Sequence, residues 1–162
     1  MGKTKGARTS WQEKLRDSKG LPKVERIARK MSKRWGTGTV VIPAPTEVDE
    51  IMRSVPSGKL ITVILIREKL AKKHGSTIAC PITTGIFAWV AANAAEEARA
   101  QGRTSTTPYW RTLKSKGELN SKYPGGVKAQ AAHLKEEGHI IERRGHKGSL
   151  GVKDFQSRLV SV

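Results

Sequence analysis

Apolar and polar positions recur along the chain in several distinct rhythms, and each rhythm predicts an element. Val48, Ile51, Met52 and Val55 fall at helical spacing before Pro56, and Thr46 with Asp49 resembles a capping box with the shorter acid; together they predict a helix over about 47–54. Thr62 can cap a second helix carrying Leu65, Ile66, Leu70 and Ala71 to His74, with Gly75 as its stop. The strongest helical signal runs from Thr83 or Thr84 to Gln101. Alanines at 88, 91, 92, 94, 95, 98 and 100 favour helix, Gly102 ends it, and Ile86, Phe87, Val90 and Ala94 define the face expected to be buried. A last helix is predicted over about 127–137, with Val127, Ala131 and Leu134 inward and Gly138 beyond it.

The intervening stretches read as turns and short extended pieces. Gly36 to Pro45 is a hinge leading into an extended segment, because the glycines loosen the backbone and the two prolines forbid helix. Pro56-Ser-Gly-Lys59 is turn chemistry, Pro108 to Leu113 a short strand or extended segment, and His139 to Val152 a basic hairpin turning at Gly145 to Gly148. Before residue 36, Trp11, Leu15, Leu21, Val24, Ile27, Met31 and Trp35 allow short helices near 10–17 and 22–33 but make no core alone. His74 and His139 border glycine stops and are expected to act as helix C-terminal caps. The elements sum to a mostly α fold with a small β component. The organisation expected is a basic N-terminal arm or short helices over 1–40, a main domain over 41–140 and a basic hairpin or extension over 141–162.

Charge narrows the partner. The chain of 162 residues carries 31 Lys and Arg against 14 acids, a net charge of +17, and Met1 to Trp35 alone holds a balance of +9. Such an excess favours a polyanion, nucleic acid first among them, with affinity that falls steeply with salt. The basic N-terminus is expected either as a solvated tail or as an arm that orders on DNA. No apolar run reaches the roughly 20 residues of a membrane span, so a soluble intracellular protein with no membrane partner is expected. One cysteine, Cys80, and four scattered histidines give no zinc spacing, and neither metal nor cofactor is expected.

The order of several short motifs adds a resemblance. Val55-Pro-Ser-Gly-Lys-Leu60, Pro108-Tyr-Trp-Arg111, Lys116-Gly-Glu-Leu119, Lys122-Tyr-Pro-Gly-Gly-Val127 and Leu134-Lys-Glu-Glu-Gly-His139, over roughly residues 45 to 140, resemble the DNA-binding domain of alkylguanine-DNA alkyltransferases. The resemblance implies a winged helix-turn-helix-like domain, a monomer, that binds double-stranded DNA and works beside DNA-repair proteins. It also locates a loss. The acceptor cysteine of that family matches Tyr109 and its histidine matches Trp110, while its glutamate matches Glu137. A phenol titrating near 10 and an indole replace neither group at neutral pH. The family's base-replacing arginine matches Ile82, and its base-flipping aromatic matches Val63. The chain is thus closest in character to the alkyltransferase-like proteins, which lack the cysteine and bind damaged DNA without repairing it.

On that reading the DNA contacts fall into two groups. Thr83, Thr84 and Asn93 are the polar positions of the alanine-rich helix able to read base edges, so sequence preference is expected to be weak. Lys59, Arg111, Lys114, Lys116, Lys122 and Lys128 around the turns, with Arg143, Arg144 and Lys147 in the hairpin, are the expected phosphate contacts. Tyr109, Trp110, Tyr123 and Glu137 would line a remodelled base pocket, or fill it as core. Three other readings stand beside non-catalytic lesion binding. They are a general duplex-binding or chromatin-type protein, an active alkyltransferase using Cys80 near the positive end of the alanine-rich helix, and an RNA binder.

Overall fold

The structure is a computed structural model describing residues 9–144 and 148–161. Its N-terminal stretch is folded onto the rest. Ser10 caps helix α1 (Trp11–Arg16) by accepting the Glu13 N–H at 3.1 Å, and the Trp11 and Gln12 N–H groups donate to the Glu97 carboxylate, each at 3.1 Å. The orphan donors of a short helix are thereby satisfied from outside it. Residues 22–33 do not form the expected helix. Lys23–Arg26 is strand β1, followed by a 3-10 turn at Arg29–Met31 and the single helical turn α2 (Ser32–Trp35). Only Ile27 in this stretch is buried, too little for an amphipathic helix. Antiparallel pairing of β1 with β2 (Thr39–Ile42), whose Val40 and Val41 favour strand, satisfies the backbone instead.

Helix α3 (Pro45–Arg53) starts on a proline, whose missing N–H costs nothing at that position. The expected pair of Thr46 and Asp49 does not close its end. Glu47 does, accepting the Ala44 N–H at 2.9 Å, while Asp49 turns inward to accept the Thr107 hydroxyl at 2.6 Å. After strand β3 (Ile61–Thr62), the Thr62 hydroxyl caps α4 (Val63–His74) through the Leu65 N–H, and Gly75 ends it in the left-handed region at φ +63°. His74 bonds the Glu47 carboxylate at 2.6 Å, so it ties two helices together instead of capping its own. Strand β4 (Ile78–Ala79) runs parallel to β2 and leads through Cys80 into α5 (Pro81–Ala100).

Beyond α5, a 3-10 turn at Tyr109–Arg111 occupies the start of the segment expected to be extended. It feeds β5 (Thr112–Leu113), which pairs parallel with β3. The Tyr-Pro-Gly-Gly turn places Gly125 and Gly126 at φ +78° and +71°, two successive left-handed residues that glycine adopts without strain, before α6 (Gly126–Glu136). The expected hairpin forms from β6 (Ile141–Arg144) and β7 (Ser149–Val152), with Ile141 opposite Val152; apart from Gly148, its tip lies outside the described residues.

The architecture is mostly α with three small sheets, a winged helix-turn-helix-like arrangement in which α4 and α5 are the helical pair and β6–β7 the wing. One apolar cluster joins Val41, Val48, Met52, Ile66, Leu70, Phe87, Ala91 and Tyr109. A second joins Leu60, Leu113, Leu134, Val152 and Phe155, and Trp110 packs against both. Leu70 is fully buried, so Leu70→Ala is expected to destabilise by about 2–5 kcal/mol, whereas Ile86→Ala, on the solvent side of α5, stays within about 0.5 kcal/mol. Urea unfolding of the two variants measures both values.

Candidate nucleic-acid interface

Three of the motifs converge on one carboxylate. Glu137, at the C-terminal end of α6, accepts the Trp110 Nε1–H at 2.9 Å, the Arg111 Nε–H at 2.9 Å and the Arg111 Nη2–H at 2.8 Å, and lies 3.5 Å from the Gly58 N–H. Arg111 also donates to the Val55 carbonyl at 2.6 Å. Burial alone would raise the Glu137 carboxyl, but the Arg111 guanidinium, with the indole and the Gly58 amide, outweighs it and holds the pKa below the ordinary value. Beside this knot, buried Gln130 receives the Asn120 N–H and donates to the Trp110 and Thr112 carbonyls. The segment from Trp110 to Thr112 is thus tied to α6 through both Glu137 and Gln130.

The aromatic side chains of and around that segment are enclosed. Tyr109 is 1% exposed and its hydroxyl donates to Glu96 at 3.0 Å; burial first, then that bond, push the phenol well above its ordinary pKa. Tyr123 is likewise buried and packs edge-on to Tyr109. Trp110 is stacked by His133 at 4.1 Å and 12°, with the Arg99 and Arg111 guanidinium groups 5.7 Å from its ring centre. Burial first, then Arg99, lower the His133 pKa. The aromatics expected to line a base pocket are therefore packed on one another and on His133. Cys80 sits buried among Ile27 and Val40, its sulfur at the cap of α5 and 3.1 Å from the Thr83 hydroxyl.

The solvent face of α5 reverses the usual helix pattern. The alanines from 88 to 98 are inside, where small side chains let α1 and α3 approach closely, and three large apolar residues are outside: Ile82 is 59% exposed, Ile86 49% and Trp89 38%. Ile86, expected in the core, is excluded because α5 turns Phe87, Val90 and Ala91 inward instead. Ile82, Gly85, Ile86 and Trp89 share one face with Lys114, Ser121 and Lys122 beside it in a single groove. Trp11 of α1 meets Trp89 edge-on at 4.8 Å and Lys14 lies over the Trp11 ring, closing the far end of the face.

The expected DNA contacts divide accordingly. Lys59, Lys114, Lys116, Lys122, Lys128 and Arg143 are exposed and pair with no carboxylate among the described residues. Arg111 does not reach solvent as a phosphate ligand; its guanidinium is held by Glu137. Arg144 folds back over the Phe155 ring and onto Glu142, leaving it partly buried. Thr84 is fully buried with its hydroxyl donated to the Cys80 carbonyl, and the Asn93 amide donates to the Trp89 carbonyl, so two of the three expected base readers are used within the helix. Thr83 remains partly exposed. Lys147 lies outside the described residues. The expected contacts omit the apolar stripe of α5, although Ile82, Gly85, Ile86 and Trp89 at spacings of three and four carry that signal in the sequence.

Fold and site define a small basic winged helix-turn-helix-like protein with an alanine-packed central helix. Among solved structures, the chain is similar to S. pombe Atl1 in complex with damaged DNA containing O6-carboxymethylguanine, at 20% identity and TM-score 0.45 over 73% of this chain and 94% of that one. It is similar also to S. pombe ATL in complex with DNA, at 18% identity and TM-score 0.45 over the same shares. No family model and no curated protein sequence matches the chain.

Breaking the Glu137 knot strands the Arg111 charge, so Glu137→Ala is expected to cost about 3–5 kcal/mol, measured by urea unfolding at pH 7. The sign of its pH dependence follows from a depressed folded pKa. Its stabilisation is complete above the ordinary carboxylate pKa and is lost as pH falls through the lower folded value. Wild-type stability is expected to drop below about pH 4.5 more steeply than that of Glu137→Gln.

Proposed function

We propose that this protein is a non-catalytic duplex-DNA-binding protein of alkyltransferase-like character, laying the outer face of α5 in a groove of the duplex. The observation that carries this reading is the exposed stripe of Ile82, Gly85, Ile86 and Trp89, flanked by Lys114 and Lys122, in a chain of net charge +17. Cations supply affinity through phosphate contacts. The apolar stripe has no base-edge code to offer and instead favours base steps that are unstacked or easily opened. With Thr84 and Asn93 bonded internally, discrimination by sequence is weak, and damaged or distorted duplex is preferred because it is cheaper to deform. The buried phenol of Tyr109 and the enclosed Cys80 support the absence of alkyl transfer.

Anisotropy titrations at one fixed salt concentration test the proposal with plain duplex and the same duplex bearing one O6-alkylguanine. Tighter binding to the alkylated duplex is expected, and Ile82→Asp should weaken both by tenfold or more, about 1.4 kcal/mol. Equal affinity for the two duplexes would remove lesion preference and leave general duplex binding. Label transferred from alkylated DNA to the protein would remove the non-catalytic reading.

A further inference from the structure

Residues 19–35 carry seven Lys and Arg against the single acid Glu25. Asp17 pairs with Lys19 and Glu25 with Lys23, while Arg26, Arg29, Lys30, Lys33 and Arg34 are exposed and meet no carboxylate within 4.0 Å among the described residues. These five are not on a loose tail. Ile27 is buried against Val40 and Cys80, with Met31, Trp35, Ile42 and Ile78 packed around them, and the Ile27 N–H donates to the Gly38 carbonyl at 2.9 Å. Cys80 is at once part of this small core and the N-cap of α5.

The position follows from the sheet. Its order is β1-β2-β4, and β4 ends one residue before α5 begins through Cys80. Two strand spacings put β1 roughly 10 Å from β4. Between the lobe and the helical pair runs a groove of about 460 Å³ lined by Arg34, Trp35, Ile64, Arg67, Glu68 and Pro81 among others; it thus joins α2 to the first turns of α4 and α5. Those turns are where a helix-turn-helix unit meets the duplex: the N-terminal residues of the second helix face the groove and the first helix crosses the backbone. Five unpaired cations fixed at that end neutralise phosphate, whereas a flexible tail of equal charge would contribute without a fixed register.

We propose that residues 19–35 form a prefolded cationic lobe, bolted to the cap of α5 by Ile27 and Cys80, which grips the DNA backbone beside the segment that α5 occupies. This inference rests on the duplex-binding reading above and adds a second grip of fixed geometry. Trp35 and Arg34 mark the edge of the lobe nearest α4, where the strand would pass from one grip to the other.

The test compares four full-length proteins on one plain 24-base-pair duplex across a salt series: wild type, Ile82→Asp, the quintuple Arg26→Ala/Arg29→Ala/Lys30→Ala/Lys33→Ala/Arg34→Ala, and Ile27→Ser. All five alanine sites are exposed, so the quintuple variant should keep the wild-type melting temperature. Its affinity should fall about tenfold or more near 100 mM salt, and its salt slope should shrink by about 0.9 for every phosphate that is no longer neutralised. Ile27→Ser keeps every charge but frees the lobe, and is expected to show at least half of the same effect on a logarithmic scale. Wild-type affinity and slope in the quintuple variant would overturn the inference while leaving duplex binding by α5 intact. Full affinity in Ile27→Ser beside a weakened quintuple would overturn the fixed lobe in favour of a charged tail. Absence of binding by wild type, or indifference to Ile82→Asp, would instead overturn the α5 reading itself. Binding of the lobe to acidic phospholipid vesicles in preference to duplex, abolished in the quintuple variant, would overturn DNA as its partner.

Discussion

The Glu137–Arg111 ion pair is the constraint on which the rest of this structure depends. A carboxylate at the end of α6 gathers the turn before β3 and the 3-10 turn before β5 into one knot, by accepting the Gly58 N–H, the Trp110 indole N–H and the Arg111 guanidinium. Both side chains are largely buried, and a buried charge without its partner is costly. The knot therefore fixes geometry more than it adds net stability. Beside it, Tyr109 lies in the core and Trp110 packs against both apolar clusters. An arginine held this way neutralises a glutamate and is not free for another anion.

Helix α5 shows how the interior dictates the exterior. Packing α1, α3 and the 3-10 turn against one helix leaves room only for alanine along most of the inner side, with Phe87 and Val90 where the space widens. Isoleucines and a tryptophan have no place there and are displaced to solvent, on the side that the groove beside Lys114 and Lys122 leaves open. Tyr109, Trp110 and His133 pack on one another, so the apolar stripe of α5 is an open surface and not a cavity.

Much of the frame was legible from the chain. Thr62, Gly75, Gly102, the Tyr-Pro-Gly-Gly turn and the hairpin stand where the helices and strands begin or end, because capping and left-handed turns are local events settled within four or five residues. The motif order grouped Tyr109, Trp110, Tyr123 and Glu137; Tyr109 packs against Trp110 and Tyr123, Trp110 bonds Glu137, and Arg111, expected at phosphate, joins them. What each does was not legible. Arg111 and Arg144 look like any surface arginine in sequence, and only their nearest acid or ring, far along the chain, decides whether they face water.

The N-terminal third marks the same boundary from the other side. Its charge, its short helix at Trp11 and the strand at Val40 follow from residue type and spacing alone, so the sequence by itself determined a basic, mostly helical chain with a central alanine-rich helix. The tertiary structure decided that Lys23 to Arg26 becomes a strand and that Ile27 seats beside Cys80. It decided also that the large side chains of α5 point outward. Those outcomes depend on which surfaces meet across 13 to 86 residues of separation, and local propensity, worth well under about 1 kcal/mol per residue, yields wherever burial and backbone pairing between distant segments are worth more.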